Sequence, residues 1–159
     1  MRIRRRNSRV MGWMIVVISA TVLLLIGLNY RPLSTTGHAD QALEAVEDFY
    51  HYEQAGDFGS AWELFHPIMQ ERFDKAAYIQ KRAHIMLQDF GVKTFDVSFG
   101  KPTAISNWKM TATSEPIAKV YEVEVTETFH SPYGDFHLVQ NSYVVDVEGT
   151  WKVLWSYQA

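Results

Sequence analysis

Residues 118–147 read AKVYEVEVTETFHSPYGDFHLVQNSYVVDV, and the alternation of apolar and polar side chains along them decides the fold. A period of two marks a strand with one buried face. Val, Thr, Tyr and Phe fill both halves, which suits a pleated, half-buried surface. Between the halves, Ser131-Pro132-Tyr133-Gly134-Asp135 is turn chemistry, with Pro at its second position and a Gly free to turn left-handed. The segment therefore predicts one long β-hairpin. A loop closed by a Gly bulge pairs Ser131 with Asp135, His130 with Phe136 and Phe129 with His137. In that register Tyr121, Val123, Val125 and Phe129 share the core face with Val139, Tyr143, Val145 and Val147. Glu127, His137 and Asn141 fall on the same face.

The same period recurs on either side of the hairpin. Residues 92–99, 105–113 and 151–157 read as further strands, set apart by Lys101-Pro102, Ser114-Glu115-Pro116 and Glu148-Gly149. Upstream of Gly91 the period is 3.6. Asp40 opens a helix carrying Leu43, Val46, Phe49 and Tyr50, which Gly56 ends. Ser60-Ala61-Trp62-Glu63 reads as a capping box for a short helix that Pro67 closes. Asp74 caps a third, with Ile79, Ala83, Met86 and Phe90 as its stripe. Three helices followed by antiparallel strands is an α+β order, with the helices packed on one face of a curved sheet.

The N-terminal end has a different character. Arg2, Arg4, Arg5, Arg6 and Arg9 precede an uncharged run, MGWMIVVISATVLLLIGL, at 11–28. As a helix, that run spans roughly 27 Å, close to a bilayer's hydrocarbon thickness. Basic residues stay on the cytoplasmic side. The expected organisation is a cytoplasmic tail at 1–10, a transmembrane helix at 11–30, a linker at 31–39 and an extracytoplasmic domain at 40–159. A cleaved secretory signal shares the basic start, but its apolar core is shorter, about 7–15 residues. The small-x-small site at Gly37-His38-Ala39 also lies far past the apolar run. Either way, the same domain is exported.

Charge divides along the same line. Residues 1–31 carry +6 and residues 32–159 carry −9, giving the −3 of the whole chain. So acidic a domain is a poor candidate for binding nucleic acid or anionic polymers. The chain has no cysteine, which excludes disulfides and thiolate metal sites, so the core must hold the fold alone.

Gly56-Asp57-Phe58-x-x-Ala61-Trp62-Glu63-Leu64-Phe65-His66-Pro67, after an aromatic-ended helix, resembles the first two helices of nuclear-transport-factor-2-like (NTF2-like) domains, a cystatin-type α+β cone. A narrower resemblance is to the membrane-proximal, non-catalytic N-terminal domain of MecA-type penicillin-binding transpeptidases, which also has a small-residue turn like Ser131-Pro132-Tyr133-Gly134 and a terminal strand like Trp151-Lys152-Val153-Leu154-Trp155. It covers roughly 40–158. The sequence stops at Ala159, where that family continues into catalytic domains. The resemblance thus implies a fold and a location at the bacterial cell envelope, and no peptidoglycan chemistry.

Cones of this kind can hold a ligand or a catalytic pair between helices and sheet. His38 lies in the linker, and His51 and His84 sit among polar neighbours on helix surfaces. His66, ending a helix, reads as a C-terminal cap, where an imidazolium suits the negative dipole end. His130 and His137 point to opposite faces and lack a third ligand, so no metal is expected. Met69, Met86 and Met110 read as core filler. Glu127, His137 and Asn141 remain as the candidate ligand-binding cluster, since polar groups on a core face need partners. No nucleophile elbow, phosphate loop or H-E-x-x-H run is present, and no cofactor is implied. The expectation is a non-catalytic binding or scaffold domain whose partner is an envelope protein or a second copy of the chain. The alternative is a pocket protein or small enzyme using the trio.

Overall fold

The computed structural model describes residues 37–156, so the expected tail, transmembrane helix and most of the linker lie outside the described residues. Among the described residues, no helix is long and apolar enough to cross a membrane. The domain is mixed α+β, with several helices and a curved antiparallel sheet of five strands.

Helix α1 (His38–Gln54) buries Ala42, Val46, Phe49, Tyr50 and Glu53 along one stripe. It takes in His38 and Ala39, which were assigned to the linker, and reverses at Gly56 with φ of 72°. Helix α2 (Phe58–Glu63) starts earlier than the capping box at Ser60 implies. Its N-cap is Asp57, whose Oδ1 accepts the Ser60 N–H at 3.0 Å. Pro67 does not close a helix; it opens α3 (Pro67–Arg72), where a residue without an N–H loses nothing. His66 is consequently the N-cap of α3, not a C-terminal cap. Its Nδ1 accepts the Ile68 N–H at 3.2 Å, so the ring is neutral there. Burial, assisted by the charge of Lys152, pushes its pKa down, in keeping with that role. Asp74 caps α4 (Lys75–His84) as expected, accepting from the Ala77 N–H at 3.0 Å. A π-helical turn (Ile85–Asp89) extends α4 to Gly91, where φ is 68°.

The sheet is built on β3 (Ile117–Ser131) and β4 (Gly134–Val147). Strands β1 (Asp96–Phe99) and β2 (Thr103–Trp108) lie end to end along the outer edge of β3, and β5 (Thr150–Trp155) pairs with β4. The edge of β5 is not open. Leu64 and His66 bond its Val153 on both sides, at 2.8 and 2.9 Å.

The hairpin exists, but its register differs from the expected one by one residue. Ser131 pairs with Gly134, His130 with Asp135 and Phe129 with Phe136. Two residues, Pro132 and Tyr133, make the loop, and Gly134 with φ of 117° already belongs to β4. The physical reason is aromatic. This register places Phe136 on Phe129, stacked at 5.0 Å, with Phe90 4.9 Å from both rings. A slip of one residue moves every β4 side chain to the other face. Val144 and Ser142 are fully buried, whereas Val139 is 59% exposed, and Val145 and Val147 are only partly covered.

The core lies between α1, α4 and the sheet. Phe49, Phe65, Met69, Met86, Val123, Val125 and Val153 are buried within it. Trp155 meets Phe65 at 4.9 Å and Phe49 at 5.7 Å. Trp62, Ile79 and Trp151 pack against this core while partly exposed. The three methionines singled out from sequence are all buried, Met110 included.

A closed cluster of ionisable side chains as the candidate functional site

Two glutamates are sealed inside this core, Glu53 at 0% and Glu127 at 1% exposure. Glu53 comes from α1 because it continues the buried stripe Val46, Phe49, Tyr50 at the next helical step. Tyr78 and Arg82, four residues apart, project from one face of α4 to meet it. Glu127 alternates with Val123, Val125 and Phe129 on the inner side of β3. Gln140 and Ser142 reach in from β4, and Tyr50 from α1.

Glu53 is well satisfied. The Tyr78 hydroxyl donates to its Oε1 at 2.6 Å, and the Arg82 Nε–H donates to its Oε2 at 2.6 Å. Arg82 Nη2 pairs with the same oxygen. Glu127 is not. Its Oε1 accepts no hydrogen bond and lies 3.8 Å from Arg82 Nη2. Its Oε2 receives only a long bond, 3.4 Å, from Gln140 Nε2. The same Nε2 donates to the Tyr50 hydroxyl at 2.6 Å, which in turn lies 3.1 Å from Ser142 Oγ.

The electrostatics follow from burial. Loss of water raises Glu127 to about 7, against the pull of Arg82 and with help from the charge on Glu53. Burial also raises Glu53, although Arg82 and Tyr78 oppose it. For Arg82, burial works downward, but Glu53, Tyr78 and Glu127 outweigh it and push its pKa up. Tyr50 and Tyr78 are both driven upward, first by burial and then by the neighbouring carboxylates, so they stay protonated donors. One guanidinium thus serves two acids, and the one with fewer donors, Glu127, is raised to about 7.

The trio expected from sequence is not brought together. Glu127 lies inside, facing Leu138 across the pair, while His137 pairs with Thr128 and Asn141 with Glu124 on the outer face. His137 Nδ1 is 2.9 Å from Thr128 Oγ1, and Asn141 Nδ2 donates to Glu122 Oε1 at 2.7 Å. The one-residue register shift is the whole cause. His130 and His137 are also outward, and His130 sits between Asp96 at 3.1 Å and Asp135 at 3.0 Å. Hydrogen bonds to Asp96 and then Asp135 raise its pKa. A shallow open hollow of about 580 Å³ runs along α4, lined by Ala77, Lys81, His84, Leu87 and Gln88 among others; it shares no residue with the cluster.

No protein-family model and no curated protein matches this sequence. Glu53 and Arg82 were the residues that sequence reading missed: each follows an apolar helical stripe, where an acid or a base ordinarily reads as a solvated edge residue.

Proposed function

We propose that the chain is a single-pass membrane protein presenting a non-catalytic binding or scaffold domain outside the cytoplasm, at a bacterial cell envelope. In this reading the domain is an NTF2-like cone akin to the N-terminal domain of MecA-type transpeptidases. The helix order and the long β3–β4 hairpin on a curved sheet support the fold assignment. The basic start and the apolar run at 11–28 support the anchor.

One observation carries the choice of binding over catalysis. The two acids of the interior are enclosed, and His137 and Asn141, which would have completed an acid–base site, lie on the other side of the sheet. Polar and apolar side chains open to a partner are on the outer face, where Val139 is flanked by Thr126, Thr128, His137 and Asn141. The pocket or enzyme alternative draws support from one group, Glu127, with its unpaired oxygen and raised pKa.

A reporter fused after Ala159 tests the topology. Activity outside the cytoplasm, with the mature chain in the membrane fraction and its N-terminal arginines retained, is the expected result. A soluble form beginning near Asp40 would overturn the anchor.

A further inference from the structure

A bare strand edge invites pairing with another chain, and proteins ordinarily blunt it with charges, prolines, bulges or a cover. The outer edge formed by β1 and β2 is broken by Gly100, Lys101 and Pro102, and again by Asn107, whose φ is 54°. The edge of β5 is covered by Leu64 and His66. The stretch Gly134–Asn141 of β4 has neither device. Strand β3 pairs with it along one side, but β5 stops with Trp155 opposite Ser142, so its other side has no backbone partner among the described residues. No Pro, Lys or Arg interrupts it, and Asp135 is its single acid. Its middle is apolar on both faces, with Leu138 39% and Val139 59% exposed.

We propose that this free edge of β4 pairs, antiparallel and about a two-fold axis, with the same edge of a second copy of the chain, joining the two sheets into one. The proposal rests on the binding reading above and names its partner. Cross-strand neighbours share a face, so a two-fold register is centred on one residue, which then meets its own copy. Centred on Leu138, the two leucines meet on the inner face, and Phe136 meets Gln140 of the second copy. On the outer face Val139 meets His137 of the second copy, and Asp135 meets Asn141 of the second copy. No charge faces a like charge. A register centred on His137 would oppose the two rings and set Asp135 against Val139, and one centred on Val139 would run into β5 sooner. The stretch is thus complementary to itself. Residues 32–159 carry −9, so two domains repel in general, and this nearly uncharged strip is where copies can approach. Its one acid is already engaged, with Asp135 lying 3.0 Å from His130 Nδ1.

The chain has no cysteine, so a single introduced one reports on its own position. In the full chain in intact membranes, Leu138→Cys under mild oxidation should give a disulfide-linked product of twice the chain mass, since directly opposed Cβ atoms lie about 4.5–5.5 Å apart. Tyr133→Cys is the control. At 87% exposure it is open to random collision, yet the register sets it on the order of 30 Å from its copy. Linkage at 138 should exceed that at 133 by about tenfold, because opposed side chains have the higher effective concentration. Equal linkage at the two positions, or none at 138, would overturn the pairing. A photoreactive residue at position 139 separates this proposal from the reading beneath it. An adduct of twice the chain mass is expected, and Leu138→Lys, which opposes two cations on the axis, should abolish it. An adduct of another mass would overturn the second copy and leave the binding domain standing.

Discussion

Arg82 is the residue on which the interior depends. It is the cation that neutralises Glu53, and removing it leaves a fully buried carboxylate with only Tyr78 to donate to it. Arg82→Met should therefore cost about 3–5 kcal/mol in denaturant unfolding. In a Glu53→Gln background the same substitution should cost distinctly less, because no charge is left behind. Glu127 gives the pH dependence its sign. Its folded pKa, about 7, lies above its unfolded value. The stability it contributes is fully present below the ordinary carboxylate range and is lost as pH rises through about 7. Thermal melts of the full chain should show Tm falling from acidic to mildly alkaline pH, with a smaller fall in Glu127→Gln. Glu127 was visible in the sequence as an acid at a core position of a strand. Its partners were not, because an acid or a base in a helical stripe is normally a solvated residue at the stripe's edge.

Among the elements, the hairpin shows most clearly what pattern can and cannot specify. Its two strands and turn were legible, since period two over so many residues has no helical counterpart. Its register was not. Strand β4 offers apolar residues on both faces, Phe136, Leu138 and Val144 on one and Val139, Tyr143, Val145 and Val147 on the other, so alternation alone cannot choose. Pro132 is compatible with more than one loop length, and packing of Phe136 on Phe129 and Phe90 makes the decision. Paired substitutions check this. Val144→Ala should cost about 2 kcal/mol, while Val139→Ala should stay within about 0.5 kcal/mol. Equal losses would contradict the register. The next turn offers a gain. Glu148 and Gly149 form a two-residue loop with φ of 53° and 82°, a conformation that Asn-Gly adopts more readily. Glu148→Asn should raise stability by about 0.5 kcal/mol, read as a higher Tm.

At the scale of the whole molecule, the division between a basic, apolar N-terminal stretch and an acidic folded domain was plain from composition, and so was the helix-then-strand order of the domain. The candidate site was not, because its location depended on a one-residue choice of register inside the hairpin. With the interior closed around Glu53, Arg82 and Glu127, the proposed binding role falls to the exterior of the domain. A photoreactive residue at position 139, on the outer face of β4, tests it in intact membranes. A discrete protein adduct that persists unchanged in Glu127→Gln is the predicted result. No adduct from that face, or an adduct that disappears when the buried acid is neutralised, would contradict it.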